Sequence, residues 1–122
     1  MRILVCGGRA YSDAAFVART LDRIHAKYPD LTIIDGGAPG ADRLAREWAV
    51  AHGVMIDPCP VDHALDGPWP GAGPRRNQRM LETKKPDAVV GFSGDRGTAD
   101  MGRGTADMCR RAEAAGVPVW RP

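Results

Sequence analysis

The stretch Asp35-Gly36-Gly37-Ala38-Pro39-Gly40-Ala41-Asp42 decides how the chain is read. An apolar run, Leu31-Thr32-Ile33-Ile34, leads into it, and Arg43-Leu44-Ala45-Arg46-Glu47-Trp48-Ala49-Val50 follows with the character of a helix. Strand, glycine turn and helix, in that order, can gather backbone N–H groups and a helix N-terminus around an anion. The glycines permit positive φ and a close approach to the backbone. Two readings follow: the floor of a phosphate or nucleotide pocket, or a tight βα connection with no ligand.

Working outward, Arg2-Ile3-Leu4-Val5-Cys6 is a continuous apolar run suited to a buried central strand, and it ends in a second glycine loop, Gly7-Gly8-Arg9. Ser12 and Asp13 are competent N-caps for a helix carrying Phe16, Val17, Leu21 and Ile24 on one face, which stops before Pro29. Leu44, Ala45, Trp48 and Ala49 mark the buried face of the next helix, Gly53 its stop, and Val54-Met55-Ile56 a third strand. This β-α-β-α-β order, with right-handed crossovers, puts the glycine loops on one edge of a parallel sheet.

The segment from Cys59 to Pro74 is rich in proline and glycine and too irregular for an element of its own; it reads as a lid or rim. Arg75 to Lys84 is a basic helix, opened near Pro74 and closed by Pro86. Ala88-Val89-Val90-Gly91-Phe92 is a fourth strand and Val117-Pro118-Val119-Trp120 a fifth, at the sheet edge. The expected fold is α/β, Rossmann-like and doubly wound. Its five-stranded, mainly parallel sheet carries helices on both faces, and residues 1–122 form one domain.

Between the last two strands, Arg96-Gly97-Thr98-Ala99-Asp100-Met101 recurs as Arg103-Gly104-Thr105-Ala106-Asp107-Met108. The seven-residue offset is nearly two helical turns. A helix starting at Thr98 would contain Gly102 and Gly104, at about 1 kcal/mol each. A helix starting at Thr105, N-capped by that threonine, avoids this and leaves the first copy in the loop.

The 122 residues include 43% hydrophobic and 26% charged, with a net charge of +2. So small a charge argues against nucleic acid as partner. Cys6, Cys59 and Cys109 have no metal spacing and read as reduced thiols of a cytoplasmic protein. No apolar run suggests a membrane span. His25, His52 and His63 share no ligand spacing, and neither metal nor cofactor is expected.

A phosphate is expected on the glycine-loop N–H groups and on Arg76 or Arg9, whose planar fork matches its oxygens. Asn77 could read a base edge or ribose, or simply be a polar surface residue. Asp42 sits in a first helical turn, where the dipole favours it, or contacts ribose hydroxyls. A glycosidase would need a carboxylate near the anomeric carbon, for which Asp42, Asp100 and Asp107 are the candidates. Trp48 reads as core or an oligomer contact and Trp69 as a stacking surface for a base.

Taken in order, Gly7-Gly8-Arg9 with Tyr11 and Asp13, Gly36-Gly37-Ala38 with Gly40-Ala41-Asp42, Trp48-Ala49, Gly73-Pro74 with Arg76-Asn77 and Met80, and the Arg-Gly-Thr-Ala-Asp-Met repeat resemble the YspA-type branch of the SLOG superfamily. The resemblance implies a Rossmann-like domain that binds a nucleotide or a nucleotide-derived ligand, and a homodimer. The binding set it implies comprises Gly7, Gly8, Arg9, Gly36, Gly37, Gly40, Asp42, Arg76, Asn77, Gly97, Thr98, Gly104 and Thr105, with Arg76, Asp42 and Asp107 as the catalytic candidates. The superfamily includes the lonely-guy phosphoribohydrolases and DNA-processing protein A. The hydrolases carry a glutamate three residues after the motif threonine; here Met101 or Met108 stands there. A binding or sensing module is therefore the leading reading. A phosphoribohydrolase acting on nucleoside 5′-monophosphates is the alternative, and a single-strand DNA binder using Arg75, Arg76, Arg79, Lys84 and Lys85 the third.

Overall fold

A computed structural model describes residues 1–93 and 102–122. Strands β1 (Arg2–Gly7), β2 (Thr32–Asp35), β3 (Met55–Pro58), β4 (Ala88–Phe92) and β5 (Val119–Trp120) form one sheet in the order β3-β2-β1-β4-β5. Every pairing is parallel, a stricter result than the mainly parallel sheet expected. β1 lies at the centre because Ile3, Leu4, Val5 and Cys6 are all buried, so it needs cover on both faces.

Two layers supply that cover. Helices α1 (Ala14–Lys27) and α2 (Ala41–Ala51) bury Val17, Leu21, Ala45 and Trp48 against Ile3, Val5 and Ile33. On the opposite face, α4 (Ala72–Lys84) and α5 (Arg103–Ala114) bury Met80, Leu81, Met108 and Ala112 against Leu4, Ile34 and Val89. Asp13 caps α1, accepting from the Phe16 N–H at 3.0 Å. Trp48 is a core residue, with its indole N–H donating to Asp22 at 2.9 Å.

Two boundaries differ from expectation. The second repeat copy opens α5, but its N-cap is Gly102, at φ +78°, and Thr105 is the third helical residue. A positive φ favours glycine there over the threonine cap. The first copy, including Gly97, Thr98 and Asp100, lies outside the described residues. α4 begins at Ala72, three residues before the expected start, so Pro74 sits within its first turn.

The segment after β3 was expected to hold no element, yet it contains the short helix α3 (His63–Asp66), and arginines of α4 fix it in place. The Asp66 carboxylate is buried and takes a two-pronged contact from Arg79, at 2.8 Å to each oxygen. Arg79 also donates to the Pro60 carbonyl at 3.0 Å, and Arg75 to the carbonyls of Asp66 and Pro68. These cations hold the rim internally instead of forming a solvated basic face.

The hydrogen bonds from Arg79 draw Asp66 down to about 2 from its ordinary 3.8. Its folded value lies below its unfolded one, so its contribution to stability is present above pH 3.8 and lost as pH falls through about 2. Asp66→Asn is expected to lower stability at neutral pH by about 2–4 kcal/mol, since Arg79 loses its partner. Urea denaturation checks this; a change under about 0.5 kcal/mol, the scale of an ordinary surface substitution, would contradict it.

Candidate functional site

In a sheet of this order the crossovers reverse direction between β1 and β4, and a crevice opens beyond their carboxyl ends. A cavity of about 590 Å³ lies there. Gly7, Gly8 and Arg9 line it from the end of β1, and Gly102, Arg103, Gly104 and Thr105 from the start of α5. Gly36, Ala38 and Asp42 contribute from the β2–α2 turn, Arg76 and Asn77 from α4, and Trp69 from the rim.

The turns meet because side chains are missing where they touch. A Cβ on Gly7 would stand 2.5 Å from that of Ala41 and 3.0 Å from the Phe92 carbonyl. A Cβ on Gly40, already at φ +82°, would run into the Gly8 carbonyl. Gly40 therefore packs beneath the first glycine loop and Gly37 packs against Pro60; neither lines the cavity.

The opening stretch lines the site, but its N–H groups are already engaged. Asp42 accepts from Gly36 at 2.8 Å and from Ala38 at 3.4 Å, while Asp35 accepts from Gly37 at 2.6 Å. The expectation that this turn holds a phosphate through its N–H groups is corrected by these bonds. Asp35 is itself buried and paired with Arg46 at 2.7 Å. Asp42 does more than complement a helix dipole: its carboxylate sets the shape of the turn.

Arg76 is likewise committed in part. Its Nη1 donates to the Gly36 carbonyl at 2.6 Å and to the Cys59 carbonyl at 3.2 Å, and its Nε to the Asn77 side-chain oxygen at 3.2 Å. Its Nη2 has no partner among the described residues, and Arg76 lines the cavity. Asn77 is buried, not a polar surface residue, and ties α4 to α5 by donating to the Gly104 carbonyl at 3.2 Å and to Asp107 at 3.0 Å. Asp107 also accepts from Arg111 at 2.8 Å, so this carboxylate is held by two donors.

The N–H groups of Arg103, Gly104 and Thr105 have no acceptor among the described residues, as the first turn of a helix requires. Among the described residues nothing lies within 4 Å of a Cβ placed on Gly104. Arg9 and Arg103 add positive charge at the same wall. Pro70, Pro74, Met80 and Met108 give the rest of the cavity an apolar lining beside exposed Trp69.

Sequence reasoning missed Gly102, Arg103 and the apolar lining. Arg103 was visible as the first residue of the repeat copy that opens α5. Met80 and Met108 carried no signal separating a cavity wall from a core. No group of three or more potential ligands able to hold a metal ion occurs among the described residues.

Residues 1–65 match the YspA, cpYpsA-related SLOG family, and the chain belongs to that family. The Gene 61 protein of Mycobacterium phage D29 is 33% identical over 126 residues, which cover 97% of this chain and 93% of the phage protein. Two solved structures share the fold. The structural-genomics target TM1055 has a TM-score of 0.68 at 22% identity, covering 97% of this chain and 71% of that one. DNA processing protein A from Streptococcus pneumoniae has a TM-score of 0.65 at 20% identity; the match covers 97% of this chain but 48% of that one. No helix among the described residues is long and apolar enough to cross a membrane.

Burial pushes Asp42 up to about 6, against the Gly36 N–H bond that favours its charged form. Its folded value exceeds its unfolded 3.8, so the ionised group opposes folding. That penalty is full above about pH 6 and disappears as pH falls below 3.8. Asp42→Asn keeps an acceptor for Gly36 and removes the charge. Its stability relative to the native chain is expected to rise by about 2 kcal/mol between about pH 4 and pH 7. Paired urea titrations measure this, and a gap independent of pH would contradict it.

Proposed function

We propose that the chain is a single nucleotide-binding domain that senses or holds a nucleotide or nucleotide-derived ligand in the cavity between β1 and β4. The observation that carries the reading is the first turn of α5, whose N–H groups at Arg103, Gly104 and Thr105 meet no acceptor among the described residues, and whose residues line the cavity together with Arg9 and Arg76. A phosphate would take the N–H groups of Arg103, Gly104 and Thr105. The base would lie toward Trp69 and the methionines, where an aromatic face and apolar walls are available. Asp42 and Asp107, which line the cavity, would accept from ribose hydroxyls.

The alternative is hydrolysis of a nucleoside 5′-monophosphate to free base, with Asp42, Asp107 and Arg76 as the groups at the reacting bond. Asp107 favours it by lining the cavity as a carboxylate, although Asn77 and Arg111 already donate to it. A homodimer remains part of the proposal. Val50 on α2 and Met55 on β3, among the most exposed large apolar side chains described, offer a surface that a second copy would cover.

Gly104→Leu adds a side chain at the α5 turn, where a Cβ meets nothing within 4 Å among the described residues. Its Kd for nucleoside monophosphates or ADP-ribose, measured by calorimetry, is expected to be about tenfold weaker or worse than the native value, a loss of at least about 1.4 kcal/mol. Equal affinity in the variant would contradict placement of the phosphate at α5. Failure of the native chain to bind any of these compounds would contradict the binding reading itself. Incubation with each nucleoside monophosphate followed by chromatography separates sensing from hydrolysis, since only the enzyme releases free base.

A further inference from the structure

Asn77 is a buried amide, 4% exposed, among the residues that line the cavity. A carboxylate can only accept, so the atom 3.0 Å from Asp107 Oδ2 is Nδ2, which also donates to the Gly104 carbonyl at 3.2 Å. Oδ1 is left to accept from Arg76 Nε, also at 3.2 Å. Both donor hydrogens are thereby spent, so the amide has none to offer a ligand. No other side chain of this size supplies two donors and an acceptor: aspartate has the shape without the donors, and leucine has neither.

Each partner bears on a different part of the wall. The Gly104 carbonyl and the Thr105 N–H belong to one planar peptide unit, so a hold on the first fixes the direction of the second. Arg76 reaches on to the Gly36 carbonyl at 2.6 Å, and a Cβ at Gly36 would stand only 2.7 Å from its Nη1. Asp107 accepts from Arg111 as well, at 2.8 Å, and so keeps a donor when Asn77 is replaced. One amide thus links the β2–α2 turn, through Arg76, to the first turn of α5.

We propose that Asn77 is the positioning residue of the phosphate site, fixing the Gly104–Thr105 peptide and the Arg76 guanidinium relative to one another without touching the phosphate itself. The proposal rests on the nucleotide-binding reading above. Its particular consequence is that Asn77 governs affinity for the phosphate. The apolar lining and Trp69, where the base would lie, take no hydrogen bond from it.

The test compares the native chain with Asn77→Leu, which removes all three bonds and adds no charge. Calorimetry measures two ligands: whichever of the adenosine, guanosine, cytidine and uridine 5′-monophosphates the native chain holds most tightly, and the matching nucleoside. Urea denaturation measures the folded fraction of each protein. The nucleotide Kd is expected to rise about tenfold in the variant, while the nucleoside Kd changes by less than about twofold. Equal losses on both ligands, the result of a merely structural role, or an unchanged nucleotide Kd would overturn the proposal. A native chain that binds none of these compounds would overturn the nucleotide-binding reading, and the proposal with it. A second readout needs no variant to fold. An anion on the Thr105 N–H polarises the Gly104 carbonyl of the same peptide. The Asn77 side-chain amide resonances of isotope-labelled native protein should therefore move with the nucleotide and stay in place with the nucleoside. Resonances that ignore a bound nucleotide would overturn the proposal.

Discussion

Everything at the carboxyl edge of the sheet depends on backbone meeting backbone where no side chain fits. Gly40 lies directly beneath Gly8, and Gly7 is pressed between Ala41 and Phe92. Those contacts draw the β1 turn and the β2–α2 turn into one wall. A methyl group at either position would force the turns apart and open the crevice from beneath.

Within that wall, hydrogen bonding divides the labour between two turns that look alike in sequence. The β2–α2 turn is folded by its own carboxylates: Asp35 and Asp42 consume the N–H groups of Gly36, Gly37 and Ala38. A second anion there would have to displace a buried carboxylate. At the α5 turn the N–H groups of Arg103, Gly104 and Thr105 have no acceptor among the described residues, and these residues line the cavity. One glycine turn is thus scaffold; under the proposed function the other receives the phosphate.

Much of this was legible beforehand, for definite reasons. The apolar run of β1, the helical spacing of Val17, Leu21, Ala45 and Trp48, and the glycines after two strands specify a parallel α/β sheet and the edge that bears the cavity. The destinations of long charged side chains were not legible. Arg75, Arg76 and Arg79 read as a basic surface, yet they reach into the rim and the β2–α2 turn, because the buried Asp66 carboxylate and several loop carbonyls accept from them there. Asn77 was equally opaque: its bond to Asp107 spans thirty residues and leaves no local trace. The Gly102 cap was hidden by the better-known preference for threonine at an N-cap, which the positive φ overrides.

The most direct test is a titration of isotope-labelled protein with a nucleoside monophosphate, followed by amide NMR. The largest shifts should fall on the N–H groups of Arg103, Gly104 and Thr105, with those of Gly36, Gly37 and Ala38 moving less because Asp35 and Asp42 already hold them. Shifts concentrated on Gly36 to Ala38, or spread over the opposite edge of the sheet while the α5 turn stays unchanged, would contradict the account.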